Sequence, residues 1–266
     1  MPPLRTLVLG ALLLAPATLV AQDRQTEANA FTLNDKVPTG QWIRVRNVNG
    51  DVRVRPSTSD RVEITATKTW RRGDPKDVRI QSYKASDGSI LVCAFWTENA
   101  TCDENGYQSH NEGWRRDRNN DVAVDFEVRV PKGVKVGVNS VNGGVSVDGA
   151  TSEVRASTVN GRVSAASTGG PVNASTVNGD IDVRMRELGT GDLEYSTVNG
   201  SIEIEVPSNL DADLDMRTVN GSLSADFPIT LQGRVNPRRM RATIGKGGRR
   251  IRLETVNGSV ELRKSS

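Results

Sequence analysis

Val-Asn-Gly occurs seven times in this chain, with its glycine at Gly50, Gly143, Gly161, Gly179, Gly200, Gly221 and Gly258. A Thr precedes five of the copies: Thr158, Thr176, Thr197, Thr218 and Thr255. Successive glycines are 93, 18, 18, 21, 21 and 37 residues apart, and the two long gaps lie near whole multiples of the short ones. That leaves room for degenerate copies inside them. A period near 20 residues marks a supersecondary unit that buries its apolar face only against its neighbours.

The flanks repeat as well. Counted from each glycine, positions −7, −5, +2 and +4 are apolar: Ile43, Val45, Val52 and Val54 around Gly50, and Val136, Val138, Val145 and Val147 around Gly143. Leu193, Tyr195, Ile202 and Ile204 surround Gly200; Leu214, Met216, Leu223 and Ala225 surround Gly221; Ile251, Leu253, Val260 and Leu262 surround Gly258. The copies at Gly161 and Gly179 use Ala156, Ala165 and Ala174 as their small members. The residues between are polar or charged, as with Arg44, Arg53, Glu194, Glu203 and Asp215. Alternation of period two means strands with one buried and one wet face.

Asn-Gly between two such strands is the pair that accepts positive φ at a tight corner. The corners are Asn49-Gly50, Asn142-Gly143, Asn160-Gly161, Asn178-Gly179, Asn199-Gly200, Asn220-Gly221 and Asn257-Gly258. Second corners fall at Asp148-Gly149, Gly169-Gly170, Gly189 to Gly191 and Ser208-Asn209. No helix of any length is readable after the first 21 residues.

Two all-β architectures satisfy this pattern: a parallel β-solenoid with one coil of about 18–21 residues per unit, and a meander of hairpins with type I′ Asn-Gly turns. Only stacking gives a reason for the same Val, Asn and Gly at one place in every unit, so the solenoid is preferred. Equivalent residues then stack about 4.8 Å apart. The Asn amides form a ladder, the Val a column, and the Thr points inward to satisfy backbone groups at the corner. An aromatic content of 4% fits a narrow interior filled by Val, Ile and Ala.

A length of 266 residues allows one or two domains at about 150 residues each. The division expected is a signal peptide over 1–21, an N-terminal β region with degenerate coils and a disulfide loop over 22–130, and the regular solenoid over 131–266. Arg5, the apolar run Leu7 to Leu14 and the small residues of Ala15-Pro16-Ala17 or Leu19-Val20-Ala21 make up that leader, with cleavage after Ala21 preferred to Ala17. The apolar run is shorter than the roughly 20 residues that span a bilayer and contains Pro16, so no membrane span is expected in the mature chain.

Export to a periplasmic, cell-surface or extracellular location makes the only two cysteines, Cys93 and Cys102, an expected disulfide. A net charge of +3 is too balanced for a protein that coats nucleic acid. One His in the whole chain argues against zinc or His-based catalysis. No cofactor or metal is expected.

The run of Thr-Val-Asn-Gly-x-hydrophobic-x-hydrophobic units behind a signal peptide resembles a β-strand-repeat family of bacterial adhesins, a domain of unknown function similar to the head GIN adhesin domains. The resemblance runs from about Trp42 to Arg263 and is strongest from Val134 onward. It takes in the Cys93 and Cys102 segment and Ile244-Gly245-Lys246-Gly247-Gly248 before the last repeat. It implies a right-handed parallel β-helix and brings no catalytic residues with it.

Any catalytic or binding chemistry on such a scaffold would project from the outward columns. Position +1 reads Asp51, Gly144, Arg162, Asp180, Ser201, Ser222 and Ser259, and position +3 reads Arg53, Ser146, Ser164, Asp182, Glu203, Ser224 and Glu261. Stacking in register would gather Asp180, Asp182 and Glu203, the carboxylates a carbohydrate-active enzyme on a β-helix would need. A solvated strand face carries such residues routinely and is the preferred reading.

Trp42, Trp70, Trp96 and Trp114 all precede the regular repeats and read as a broader core or end cap before they read as a sugar platform. His110 reads as a surface residue, and Trp114, near Arg115, Arg116 and Arg118, is the tryptophan expected to be exposed. Arg234, Arg238, Arg239, Arg241, Lys246, Arg249, Arg250 and Arg252 form a basic run with no acid between Ile229 and Leu253. Arg238, Arg239, Arg241, Arg249 and Arg250 are the candidate anion-binding residues.

The function expected is a non-enzymatic binding scaffold at the envelope surface. Its expected partners are an anionic polysaccharide, lipopolysaccharide or an envelope protein, not nucleic acid. A carbohydrate-active enzyme and an envelope-stress or signalling accessory protein are the alternatives.

Overall fold

The computed structural model describes residues 30–103, 106–109, 120–232 and 236–265. The expected signal peptide over 1–21, His110, Trp114, Arg115, Arg116, Arg118 and Arg234 lie outside the described residues. The first half holds β1 (Ala30–Asp35), β2 (Trp42–Arg46), β3 (Val52–Pro56), β4 (Val62–Thr69), β5 (Arg79–Lys84), β6 (Ile90–Phe95), β7 (Ala100–Cys102), β8 (Tyr107–Ser109) and β9 (Ala123–Val130). Then follow β10 (Lys135–Asn139), β11 (Val145–Ala150), β12 (Val154–Ser157), β13 (Val163–Ser167), β14 (Val172–Ser175), β15 (Ile181–Met185), β16 (Leu193–Ser196) and β17 (Ile202–Val206). The last are β18 (Ala212–Arg217), β19 (Leu223–Ala225), β20 (Ile229–Leu231), β21 (Arg239–Ile244), β22 (Arg249–Glu254) and β23 (Val260–Lys264).

The strands form two long sheets. One runs β1-β4-β9-β3-β11-β13-β15-β17-β23-β19 and the other β20-β21-β18-β22-β16-β14-β12-β10-β2-β6-β5. Between the ends all pairing is parallel, so each repeat contributes one strand to each sheet and the fold is a β-solenoid, not a hairpin meander. The −7 and −5 residues of one coil stack on those of the next, as Val136 on Val154 and Val138 on Ala156. One cluster of buried side chains runs from Val37 to Leu262. Its narrowest coils bury Ala156, Ala165 and Ala174, and Tyr195 and Phe126 are its largest fully buried members.

The stacking order departs from chain order at both ends. The corner asparagines bridge in the order Asn49, Asn142, Asn160, Asn178, Asn199, Asn257, Asn220. The last coil, β22–β23, is therefore threaded between β16–β17 and β18–β19. The first long gap does hold a degenerate coil, β6 with β9, in parallel register with β2 and β3, but it stacks outside the first coil; the second gap holds the antiparallel strands β20 and β21. Asn49 stacks directly on Asn142, and the intervening chain lies outside the first coil.

There β6 pairs with β2 and β9 with β3 in parallel, after which β5, β4 and β1 close the stack antiparallel. At the other end β21 pairs antiparallel with β18, and β20 with β21. Antiparallel strands carrying non-repeating sequence (β1, β5 and β20) form three of the four sheet edges, and the fourth is the three-residue parallel strand β19.

Three corner glycines, Gly50, Gly143 and Gly258, have the positive φ that the Asn-Gly pair foretells, at 113°, 147° and 154°, and the other four are required for a different reason. Among the described residues only glycines have positive φ, and Gly161, Gly179, Gly200 and Gly221 are not among them. Space is what excludes a side chain. A Cβ at Gly179 would lie 2.0 Å from the carbonyl oxygen of Gly161, and one at Gly200 would lie 1.9 Å from that of Gly179. Coil-to-coil approach, not a turn dihedral, fixes glycine there.

Candidate functional site

The corner supplies a continuous hydrogen-bond ladder. The Asn160 amide donates to Asn142, Asn178 to Asn160, Asn199 to Asn178, Asn257 to Asn199 and Asn220 to Asn257, each at 2.8 Å. Asn49 instead donates to the Val122 carbonyl at 3.1 Å. The five Thr side chains are buried, and each hydroxyl donates to a corner glycine carbonyl of the neighbouring coil at 2.8–3.0 Å, as Thr158 to Gly143 and Thr255 to Gly200. These groups are satisfied within the fold and serve it.

A ligand-sized concavity opens elsewhere, on the outer face of the sheet that holds β2, β10, β12, β14 and β16. It has a volume of about 620 Å³ and is lined by Trp42, Arg44, Arg46, Asn139, Arg155, Ser157, Asn173, Ser175, Glu194 and Ser196. In repeat terms it is two outward columns. Position −4 carries Arg46, Asn139, Ser157, Ser175 and Ser196, and position −6 carries Arg44, Gly137, Arg155, Asn173 and Glu194. Gly137 opens the floor between two arginines; a Cβ there would meet the Arg44 side chain at 3.1 Å.

One end of the groove is cationic. The Trp42 ring centroid lies 4.7 Å from the Arg44 guanidinium, 4.9 Å from that of Arg155 and 5.5 Å from the Lys135 ammonium. Glu153 answers Arg155 at 2.7 Å and Lys135 at 3.5 Å. Arg44 forms no ion pair with a carboxylate among the described residues. Arg46 is 8% exposed, and burial, followed by the charge of Arg44, holds its pKa below the ordinary guanidinium value. A guanidinium still stays protonated at any pH the fold meets. The middle of the groove is uncharged hydroxyl and amide, and Glu194 marks the far end.

The carboxylates singled out by sequence do come together. Asp182 pairs in register with Glu203, and Asp180 is one residue before β15. Each is answered by an arginine: Arg162 lies 2.8 Å from Asp180 and 3.4 Å from Asp182, and Arg263 lies 2.9 Å from Glu203. The Ser201 N–H, and after it Arg162, hold the Asp180 carboxyl below its ordinary pKa. A general acid at neutral pH needs the opposite shift.

The basic run is free of acids only along the chain. Asp215 of β18 lies 3.1 Å from Arg239, 3.5 Å from Arg241 and 2.8 Å from Arg217. Arg249 donates to the carbonyls of Leu188 and Gly189, and Asp192 accepts from the Arg250 N–H. Arg238 stands exposed beside them.

Cys93 and Cys102 are joined in a disulfide that ties β6 to the β7–β8 hairpin. Trp96 packs against the core and donates to the Val122 carbonyl at 2.9 Å, as an end-cap residue does, while Trp70 is 40% exposed. Among the described residues Trp42 is the one tryptophan that faces the groove. Arg44, Arg155 and the Ser and Asn columns had a signal in the sequence: positions −4 and −6 show it when aligned as +1 and +3 were. No group of three or more potential metal ligands occurs among the described residues, and no helix there is long and apolar enough to cross a membrane.

The family described as Toastrack DUF4097 matches residues 121–263. Among solved structures, a candidate cell adhesion protein from Clostridium sporogenes is similar over 89% of this chain and 100% of its own, at 8% identity and a TM-score of 0.49. A candidate adhesin from Bacteroides fragilis is similar over 89% of this chain and 97% of its own, at 11% identity and a TM-score of 0.37. No curated protein matches the chain at a significant level.

Proposed function

The chain belongs to the Toastrack DUF4097 family, and from that premise we propose that it is a non-enzymatic, exported binding scaffold whose groove holds an acidic glycan of the cell envelope. The groove carries this reading: a cationic end built on Trp42, Arg44 and Arg155 opens onto a stacked row of serines and asparagines. Arginine recognises carboxylate or phosphate by paired N–H donors. The hydroxyl and amide row offers repeated hydrogen bonds to the hydroxyls of a chain lying along the coils. An indole beside cations suits a sugar ring that carries an acid group. The disulfide supports an oxidising compartment and hence export.

Binding without turnover is favoured because Asp180, Asp182 and Glu203 are each neutralised by an arginine, leaving none placed as a proton donor. The basic end is the second anion site to compare. There Arg239 and Arg241 already have Asp215, which leaves Arg238 and Arg250 as the more available charges.

Residues 22–266 are to be mixed with polygalacturonate, lipopolysaccharide, sacculi and a neutral glucan at low and high salt, then sedimented, with the supernatant assayed for released sugar. Salt-sensitive retention by the acidic polymers is expected, at least fivefold weaker for Arg44→Gln/Arg155→Gln. Released sugar, equal retention by the neutral glucan, or undiminished binding by that variant would each sink the reading. Binding lost instead on charge reversal at Arg238, Arg239, Arg249 and Arg250 would move the site to the basic end.

A further inference from the structure

The valine of every repeat points outward. Val141, Val159, Val177, Val198, Val256 and Val219 are 37–49% exposed, and Val48 in the first coil is half-buried. They follow one another along the stack at one per coil, a stripe about 29 Å long over its six steps. In every coil but the last the Val carbonyl accepts the Asn N–H of the next coil, as Val141 from Asn160 at 2.7 Å and Val177 from Asn199 at 2.8 Å. The backbone under the stripe is therefore fixed, and valine is stiff at χ1. Ordering such a surface on contact costs little entropy.

Core packing does not explain this residue. The neighbouring outward position +1 varies freely through Asp, Gly, Arg and Ser, yet the valine is the same in seven repeats of seven. Beside it, four consecutive coils carry no charge from position −4 to the glycine: 139–143, 157–161, 175–179 and 196–200. One residue in four of the whole chain is charged. An apolar line with uncharged flanks is the composition of an interface core.

We propose that this stripe is a self-association surface on which a second copy of the chain packs, valine to valine, with the two coil stacks parallel. A partner must present apolar side chains at the rise of one coil over the whole length, and a second copy does so by construction. Charge selects the direction. A two-fold axis along the stack sets position −4 of one copy against position +1 of the other. Ser175 then faces Asp180, Ser157 faces Arg162 and Glu254 faces Ser259, with no like pair among them. An antiparallel pairing centred on Val177 sets Asp180 against its own copy. A ridge one residue wide falls below the roughly 800 Å² per partner of a standard interface, so the association is weak.

Sedimentation equilibrium of residues 22–266 from about 5 µM to 1 mM tests this, since weak interfaces dissociate in that range. The wild type is expected to shift toward dimer. Val159→Lys/Val177→Lys/Val198→Lys should stay monomeric with an unchanged melting curve, and Val159→Thr/Val177→Thr/Val198→Thr should be weakened at least threefold while keeping strand-forming residues. Under mild oxidation Val141→Cys and Val256→Cys should each link to its own kind. A wild type still monomeric at 1 mM, or a triple Lys variant that dimerises equally well, would overturn the proposal. Linkage only between Val141→Cys and Val256→Cys would overturn the parallel arrangement.

Discussion

The coils from β10 to β17 and the segments that close the stack are built by different rules. In the middle, one set of contacts recurs: glycine against glycine carbonyl, Thr hydroxyl to that carbonyl, Asn amide to Asn amide. At the N-terminal end the same places are taken by unlike residues. Asn47 stands where the Thr would be and donates to the carbonyls of Gly50 and Val124, and Asn49 leaves the amide ladder for Val122. That end also holds the disulfide, Trp96 and the antiparallel strands β1, β4 and β5. Repetition specifies a coil; departure from repetition specifies where the stack stops.

The sharpest break of this contrast is steric. Gly200→Ala places a methyl 1.9 Å from a neighbouring carbonyl oxygen inside the array and should cost about 3–5 kcal/mol in chemical denaturation. Gly40→Ala, with φ +85 and open space around it, should cost about 1–2 kcal/mol from backbone conformation alone. Equal losses would show that the array tolerates separation of its coils.

Next in size is Cys93→Ser/Cys102→Ser. Opening this short loop should remove about 2–3 kcal/mol. Hydrogen exchange should report the loss in β5 to β9, with protection of β12 to β17 unchanged. Uniform loss across the chain would mean that the end and the array melt as one unit.

The amide ladder is the finer probe. Asn199→Ala removes an amide bonded on both sides and should cost about 1–2 kcal/mol, whereas Asn49→Ala, which loses one bond to Val122, should cost about 0.5–1 kcal/mol. Equal effects at the two positions would argue that stacked amides add nothing to ordinary hydrogen bonds.

The smallest expected effect belongs to Asp180. Its folded pKa is depressed by Ser201 and then Arg162. Its stabilisation is therefore complete above the unfolded carboxylate value of about 3.9 and is lost as pH falls through the lower folded value. Solvent screening limits it to about 0.5 kcal/mol. Asp180→Asn should flatten the acid limb of the stability curve by no more than that, and a larger change would mark the site as more than a surface ion pair.

Corners, strand parity and the inward Thr were legible because each is a property of one coil, stated by residues a few positions apart. Stacking order was not. All seven repeats carry the same corner motif, so nothing local tells β16 to accept β22 in place of β18. The charge balance of the C-terminal end was hidden for a related reason. Asp215, which answers Arg239 and Arg241, lies on a strand more than 20 residues earlier in the chain. The groove was half legible: its columns are visible in the aligned repeats, but the convergence of Arg44, Arg155 and Lys135 on Trp42 depends on Gly137 leaving the floor open.

The threaded coil bears on how the molecule is made. Polypeptide emerges from a ribosome or a translocation channel one end first, and coils through β17 can settle in order of arrival. Residues 212–225 then appear before their proper neighbour exists, and they must either wait or dock early and be displaced. Only when residues 249–264 slide into the slot do β16, β17, β18 and β19 gain the parallel neighbours they have in the finished fold. The last coil thus acts as a completion check: a chain interrupted before it keeps two open sheet edges, the kind of fault that quality-control proteases detect.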